Sequence, residues 1–476
     1  MSLWYSTELF NAIGGDMTRP MTATGVSIDS RTLQKGDLFF AIHGENGDGH
    51  DYIADALANG ASGIVMHRQG PNAWTHWHQT IPDGTAAFFV TDTTLALRRL
   101  GKAGRDRMSG KLAAVTGSVG KTSTKEMLRL ILAASGKTAA AAASYNNHLG
   151  VPLTLSRIPR DAKFAVAEIG MNNRGEIAIL GRIAQPHVAI VTAIAPVHIG
   201  NLGSLAAIAE EKASLLKYIF TEKAMEEGEE DKPGIAILPA DTEFRIAFHR
   251  ASPFGRKIWF GESADADARL LDYAPDATGS TVRAIVAGRE VSFRLGAPGK
   301  HMALNAIAAL AAAVEMGADL DKGLAALADF TALPGRGARQ SLLGGAATLI
   351  DESYNASSAS VRAALSVLGT EKGRRIVVLG DMLELGDFGP SEHAGLADSV
   401  AASADVLFTC GPLMRHLYEA VPANLRGAHA TDSAELASIV AAAVQPGDVV
   451  LIKGSNGSRM NRVVQALLAS GEVSRT

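Results

Sequence analysis

The chain has 476 residues, long enough at roughly 150 residues per domain for about three folding units with a core each, which excludes a mini-protein or a single small module. Hydrophobic residues make up 47% and charged residues 20%, ordinary globular usage that excludes a disordered, collagen-like or coiled-coil chain. Lys and Arg number 45 against 49 Asp and Glu, a formal charge of -4, so no overall basic field is available to hold a nucleic acid and any phosphate contact has to be local.

A lone cysteine, Cys410, allows neither an internal disulfide nor a cysteine-rich zinc site and fits a reducing compartment, with the cytoplasm as the expectation. The start of the chain, MSLWYSTELFNAIGGDM, carries Glu and Asp and lacks the basic, apolar and cleavage segments of an export signal. The longest run without Asp, Glu, Lys or Arg, from Ile183 to Ala209, is broken by prolines, histidines, Gln and Asn. It reads as strand, loop and helix rather than a membrane span.

In chain order, the segment 26 to 67 predicts a small α/β unit: DLFFAI as a strand, IADALA as a helix ended by Asn59 and Gly60, then GIVMH as a strand. The polar stretch from Thr75 to Gly84 precedes a boundary near residue 90. From 91 to 332, the apolar runs LAAVTG at 112, FAVAEIG at 164, HVAIVTAIA at 187 and GIAILPA at 234 alternate with helical patterns, the signature of a parallel sheet with crossovers. The acidic stretch 221 to 234 is expected to be a solvated loop, and 279 to 295 a hairpin turning at Ala287-Gly288, expected as a β appendage. A third unit, 333 to 476, starts at LPGRGAR and holds the runs RIVVLGDM, DVLFTCG and DVVLIKGS between Ala-rich helices. Its last helix, 458 to 469, carries Val463, Val464, Leu467 and Leu468 on one stripe. The predicted architecture is three α/β domains, 1–90, 91–332 and 333–476, the middle one a P-loop mononucleotide-binding parallel sheet and the last Rossmann-like.

The chemistry concentrates at LAAVTGSVGKTSTKEMLRLIL, 112 to 132. An apolar strand runs into Gly117, Ser118, Val119, Gly120, Lys121, Thr122 and Ser123, and a helix follows with Met127, Leu128, Ile131 and Leu132 on its buried face. Glycines let backbone N–H groups and a helix N-terminus converge on phosphate oxygens, Lys121 adds a positive charge, and the Thr122 hydroxyl suits Mg²⁺. The strict pattern GxxxxGK[ST] fails at its first position, which is Val115. A P-loop also needs a carboxylate at a neighbouring strand end, because Mg²⁺ takes hard oxygen ligands, and Glu168 ends the run FAVAEIG. His198 follows the next strand at a similar carboxyl edge. Taken alone, His198 reads as structural and Lys212 as a helix-surface lysine.

Together and in order, TGSVGKTS, SYNNHLGVPLTL, AEIGMNNRGEI, APVHIGNLGS, EEKASLL, GKHMALNAIAA, PGRGAR and DESYNASSASVRAAL resemble the Mur ligases, ATP-dependent amide ligases of peptidoglycan precursor synthesis. The resemblance spans all three predicted domains, and the off-pattern P-loop is typical of that family. DSR, GDLFFAIHGENGDGHDYI, YNN and LGDMLELG resemble most closely the branch that adds D-alanyl-D-alanine to a UDP-N-acetylmuramoyl tripeptide. The Asp-Asn-Pro-Arg type of motif expected of members adding a single amino acid is missing.

The resemblance implies ATP as cosubstrate, two Mg²⁺ ions, and a role for each matching residue. Lys121 and Thr122 go with the phosphates and the first Mg²⁺, Glu168 with metal and His198 with the second ion. Lys212 matches a lysine that is N-carboxylated in the family; a carbamate supplies oxygen ligands where an ammonium would repel Mg²⁺. Asn305 matches the adenine-side Asn, Arg336 the arginine that reaches the phosphates from the third domain, and Asp351 the ribose-binding Asp. Asn146 and Asn147 match the segment facing the nucleotide-sugar substrate. Ser30, Arg31 and the loop from Gly44 to His50, including Gly49, match the region holding UDP, while Asn355, Lys453 and Ser455 would meet the dipeptide. The resemblance further implies a monomer, no nucleic-acid partner, no membrane insertion, and links to cell-wall biogenesis, cell shape and cell division. Three positions depart from the family pattern: Ile169 for Met, Val119 for a polar residue, and Ser357-Ser358 for Asn-Pro, the last expected to alter dipeptide contacts.

Overall fold

Among the described residues three large sheets follow one another along the chain, beside two two-stranded ones, and the short apolar runs described above supply their central strands. The computed structural model describes residues 2–44, 47–68, 81–221, 233–276 and 278–473, the last four of these without their side chains. Residues 75–80 of the polar stretch and 222–232 of the acidic stretch lie outside the described residues, so the expected solvated loop does too.

The first sheet has five strands in the order Asp16–Met17, Ala87–Val90, Gly63–His67, Asp37–Phe40 and Gly25–Ser27, parallel except at the Asp16–Met17 edge. Both faces are covered, as parallel sheets require. Leu38, Phe40, Val65, Phe88 and Val90 enter one apolar cluster, and Phe39, Ile64, Met66, Ala87 and Phe89 enter another, the alternation a strand imposes.

The central sheet has nine strands, ordered Thr138–Ala140, Phe164–Glu168, Lys111–Thr116, Val188–Val191, Ile235–Pro239, Arg256–Gly261, Ala268–Asp276, Gly279–Val286 and Arg289–Leu295. The first seven run parallel and the last two pairings are antiparallel. The hairpin therefore turns where expected, with Ala287 and Gly288 at φ 51° and 74°, but it is no appendage. Val282, Ala284, Val286, Val291, Phe293 and Leu295 alternate into the core against helix Lys300–Glu315, so the hairpin extends the main sheet.

The third sheet has six strands, ordered Ala338–Leu342, Ala347–Glu352, Asp448–Lys453, Arg374–Gly380, Val406–Cys410 and Arg426–Ala430, parallel except for the first pair. The sequence pattern reveals three of these; Arg426–Ala430, with the composition RGAHA, lacks the β-branched signal. Val463, Val464 and Leu467 are buried on the last helix, Asn461–Val473, as the stripe predicts.

Helix Thr93–Asp106, capped by the Asp92 carboxylate on Leu95 N at 2.9 Å, joins the first two sheets. Gly101 and Gly104 let it lie against helix Gly150–Ser156, which follows the Asn146-Asn147 loop. A Cβ on Gly101 would sit 2.7 Å from Pro152 Cα, and one on Gly104 would sit 3.0 Å from Ser156 Cα. Gly104→Ala is expected to cost about 1–3 kcal/mol through this overpacking, seen as a lower urea midpoint. An unchanged midpoint would mean that the helices do not press together there.

Candidate functional site

Strand Lys111–Thr116 lies in the middle of the central sheet, between Phe164–Glu168 and Val188–Val191, so three carboxyl ends open on one crevice. The first of these runs into the glycine loop. Gly117 and Gly120 hold φ 147° and 83°, conformations that side-chain-bearing residues rarely adopt. There is also no room for a side chain: a Cβ on Gly117 would overlap the Thr192 hydroxyl, and one on Gly120 would sit 2.9 Å from the Asn305 amide. Thr192 Oγ1 donates to the Val119 carbonyl at 2.5 Å, and Ser118 Oγ exchanges hydrogen bonds with Ala195 O and N, both at 2.9 Å. The loop is thus fastened to the next strand's end through its outer side. Val119 contributes its carbonyl to this, which explains why an apolar residue is tolerated there.

Helix Lys121–Ala133 starts at Gly120 and buries Met127, Leu128, Ile131 and Leu132 as the pattern predicts. Lys121 Nζ donates to Gly117 O at 2.7 Å and lines the cavity. Burial holds its ammonium below the ordinary lysine range; Glu168 counters this and the nearby Arg336 adds to it.

Glu168 is 1% exposed and forms the centre of the site. Its carboxylate accepts hydrogen bonds from Thr122 Oγ1 at 2.9 Å, Ser144 Oγ at 2.7 Å and Asn146 Nδ2 at 2.8 Å. Asn146, expected to face the sugar substrate, bonds this carboxylate and lines the cavity, and Asn147 lines it too while its Oδ1 accepts from Gly150 N at 2.9 Å at the start of helix Gly150–Ser156. Ser144 escaped the sequence reading. So did Lys125, wholly buried, whose Nζ donates to Ala141 O at 2.7 Å and Ala143 O at 3.3 Å while pairing with Glu126 at 2.9 Å. It ties the segment that delivers Ser144 and Asn146 to the P-loop helix. Its spacing four residues after Lys121 was the available signal.

His198 caps the short helix Ile199–Leu202 at φ 60°, lines the cavity and meets Glu384 of the third domain through Nδ1. That close contact with the imidazole is the main cause holding the Glu384 carboxyl below its ordinary value. Lys212, on helix Leu205–Ala213, is 2% exposed and is not among the residues lining the cavity. It is buried rather than a surface lysine, and burial together with Lys121 pushes its ammonium well below the usual range. Glu211 offsets this only in part, its carboxylate being bound by Gly175 N and Ile177 N at 2.9 and 3.0 Å.

The third domain closes the other side of a cavity of about 730 Å³. Arg336 stacks 3.9 Å over the Tyr354 ring and lines it. Asp351, expected at ribose, is buried and turned to its own loop: it accepts from Gly335 N at 2.9 Å, Ser353 N at 3.0 Å and Ser353 Oγ at 2.6 Å. It positions the Arg336 turn, and of this neighbouring pair it is Glu352 whose side chain lines the cavity. Lys453 Nζ donates to Glu352 Oε2 and to the Asn355 carbonyl, both at 2.9 Å, so its charge is already neutralised. Ser455 Oγ accepts from Leu383 N at 2.9 Å, and Asn355 stays exposed. Ser357 caps helix Ser358–Leu368, accepting from Ser360 N at 3.3 Å. The Ser-Ser departure is thus the start of a helix, where Asn at the cap and Pro after it would serve the same purpose.

In the first domain, Arg31 is exposed and paired with Asp29 at 2.7 Å, and Ser30 is buried with its carbonyl accepting from Asn59 Nδ2 at 3.0 Å. A Cβ on Gly49 would lie 2.6 Å from Ile42 N. His50, expected beside UDP, is turned inward: Nδ1 lies 2.5 Å from Asp48 Oδ1 and Nε2 accepts from His67 N at 3.0 Å. It shapes the loop rather than offering a ring nitrogen.

Among the described residues, no group of three or more His, Cys, Asp or Glu could hold a metal by itself. Thr122, Ser144 and Glu168 nevertheless supply hard oxygen donors at one point, which fits Mg²⁺ taking its remaining ligands from water and phosphate. Among the described residues no helix is long and apolar enough to cross a membrane.

Three family models match the chain: the Mur ligase family catalytic domain over residues 22–92, the Mur ligase middle domain over 115–313, and the Mur ligase glutamate ligase domain over 338–456. The UDP-N-acetylmuramoyl-tripeptide–D-alanyl-D-alanine ligase of Synechocystis sp. is 33% identical over 467 residues, covering 96% of this chain and 95% of that one. The structure of MurF from Acinetobacter baumannii matches with a TM-score of 0.84 at 28% identity, covering 98% of this chain and 99% of that one. The MurF ligase of Thermotoga maritima in complex with ADP matches at a TM-score of 0.76 and 25% identity, covering 94% and 98%.

Glu168→Gln keeps the shape of the central side chain and removes its charge. It is expected to weaken Mg²⁺-dependent binding of ATP by about tenfold, or ~1.4 kcal/mol, in calorimetric titration, with the metal-free affinity unchanged. Equal affinities for wild type and variant in Mg²⁺ would remove Glu168 from the metal site.

Proposed function

The chain belongs to the Mur ligase family, and from that premise we infer its reaction: it is an ATP-dependent ligase that joins D-alanyl-D-alanine to UDP-N-acetylmuramoyl tripeptide, making the pentapeptide precursor of peptidoglycan. The observation that carries the reading is the meeting of the P-loop residues Lys121 and Thr122, the Glu168 carboxylate and the third-domain Arg336 around one cavity.

The terminal carboxylate of the tripeptide is a poor acylating agent. It attacks the γ-phosphorus of ATP, the bond to the β-phosphate oxygen breaks, and ADP leaves an acyl phosphate. Lys121 and Arg336 neutralise charge on the transferred group, with the Gly117–Ser123 loop offering amides to the phosphates. The amine of D-alanyl-D-alanine then adds to the acyl carbon, loses a proton, and expels phosphate to leave the amide. Because water would hydrolyse the acyl phosphate, the third domain stays over the central one during these steps.

Asn305, packed on Gly120, borders the nucleotide at the base side, and Asp351 serves it indirectly through the Arg336 turn. Thr122 and Glu168 would hold one Mg²⁺, with Asn146 and Asn147 framing that side of the crevice. His198 and Lys212, the latter as its carbamate, would serve a second ion. Carbamate formation needs an uncharged amine to attack CO₂, and the enclosure of Lys212 beside Lys121 favours that form. Magnesium, when bound, polarises the phosphoryl oxygens and screens their charge. Ser30, Arg31 and the loop at Gly49 and His50 take the UDP group, and Asn355 and Ser455 border the dipeptide's approach, with Lys453 holding the Asn355 carbonyl. The proposed working unit is a monomer, and a nucleotide-linked substrate and ATP point to the cytoplasm.

Incubation with ATP, Mg²⁺, UDP-N-acetylmuramoyl tripeptide and D-alanyl-D-alanine is expected to yield the pentapeptide by mass spectrometry, with one ADP per amide. Lys121→Ala should abolish it, a loss of at least about 10³-fold, with an unchanged circular dichroism spectrum. Full ADP formation by that variant would contradict the phosphate-cradle assignment.

A further inference from the structure

The third domain reaches His198 through one short loop. Glu384, in the segment from Asp381 to Gly386, sets its carboxylate on His198 Nδ1, and its main-chain carbonyl accepts from Gly200 N at 3.1 Å. Both residues of the pair hold left-handed backbone without being glycine, His198 at φ 60° and Glu384 at φ 64°. Such conformations persist only where the surroundings over-determine them, and they gather at functional sites.

The surroundings here do so. Buried His393 accepts from Met382 N on Nε2 at 2.9 Å and has its Nδ1 2.6 Å from the Gly389 carbonyl. Ser455 Oγ takes Leu383 N at 2.9 Å, and the buried Asp381 carboxylate takes Met414 N at 2.7 Å. Across the boundary a Cβ on Gly200 would lie 2.9 Å from Gly386 N and 3.0 Å from Glu384 O, so only glycine permits the approach. An apolar cluster continues through Ile199 and Leu202 to Met382 and Leu385, joining the two domains behind the pair.

An imidazole that ligates a metal through one nitrogen is oriented by what the other nitrogen bonds, most often a carboxylate or carbonyl. We propose that Glu384 is a positioning residue for the ligase reaction: docking of the third domain lays its carboxylate on His198 Nδ1, fixes the tautomer and ring, and leaves Nε2 for the cavity. The site is then complete only when the domain carrying Arg336 is in place. This rests on the ligase reading above.

The test compares wild type with Glu384→Ala and Glu384→Asp, and with Asp387→Asn as a control in the turn that follows the loop, exposed to solvent. Steady-state kinetics are paired with ¹⁵N NMR of the histidine side chains in the substrate-free protein, His198 being assigned by its loss in His198→Gln. In Glu384→Ala, kcat is expected to fall about 10- to 100-fold with KM for the UDP-tripeptide unchanged. The His198 ring should also change from a single Nδ1-protonated form to a mixture of tautomers. Glu384→Asp recovers part of both, and Asp387→Asn alters neither. Wild-type kcat in Glu384→Ala, or His198 resonances that do not move, would overturn the proposal. The NMR arm needs no substrate, so its outcome is separate from failure of the wild type to form the amide, which would overturn the ligase reading instead.

Discussion

A carboxylate taken out of water is costly unless hydrogen bonds replace its hydration, and Glu168 is almost entirely enclosed. Its acceptors are filled by a hydroxyl from the P-loop helix, a hydroxyl and an amide from the loop after strand Thr138–Ala140, and its charge faces Lys121. Three separate stretches of chain must therefore be in register before this one side chain can be buried. The rest of the active crevice follows from that condition. The glycine loop is anchored to Thr192 and Ala195, the Ser144 segment is pinned by buried Lys125, and neither can shift without leaving Glu168 unsatisfied.

The arrangement also explains why so little protein charge is devoted to metal. The described residues contain no ready-made cage of acidic or histidine ligands. An ion that arrives with the nucleotide and keeps water in its shell needs only one or two protein oxygens, which is how Mg²⁺ commonly binds. The cationic groups are held down where they are buried: burial and Arg336 lower Lys121, and burial and Lys121 lower Lys212, so a phosphate beside Lys121 supplies the negative charge that favours its ammonium.

The third domain contributes by position more than by number of contacts. Asp351 and Lys453 hold the turns that present Arg336 and Asn355, and Glu384 reaches back to His198. Catalysis through an acyl phosphate demands that water be excluded while both substrates are held, and domains that share one apolar seam can meet that demand by docking.

Read alone, the amino-acid order determined the three α/β units, the strands that build the parallel core and the glycine loop with its lysine and threonine. These are local matters, since apolar runs, turn residues and a strand–loop–helix junction are written in neighbouring positions. Tertiary structure decided the rest. Pairing across the sheet made the hairpin part of the main layer and turned Asn146 toward Glu168. Folding of each loop on itself turned His50 and Asp351 inward and left Glu352 facing the cavity. Ser144, Lys125 and Glu384 act through partners 16 to 186 residues away, and no spacing rule reaches that far: which side of a strand end or a loop a polar group occupies depends on what else must be buried beside it.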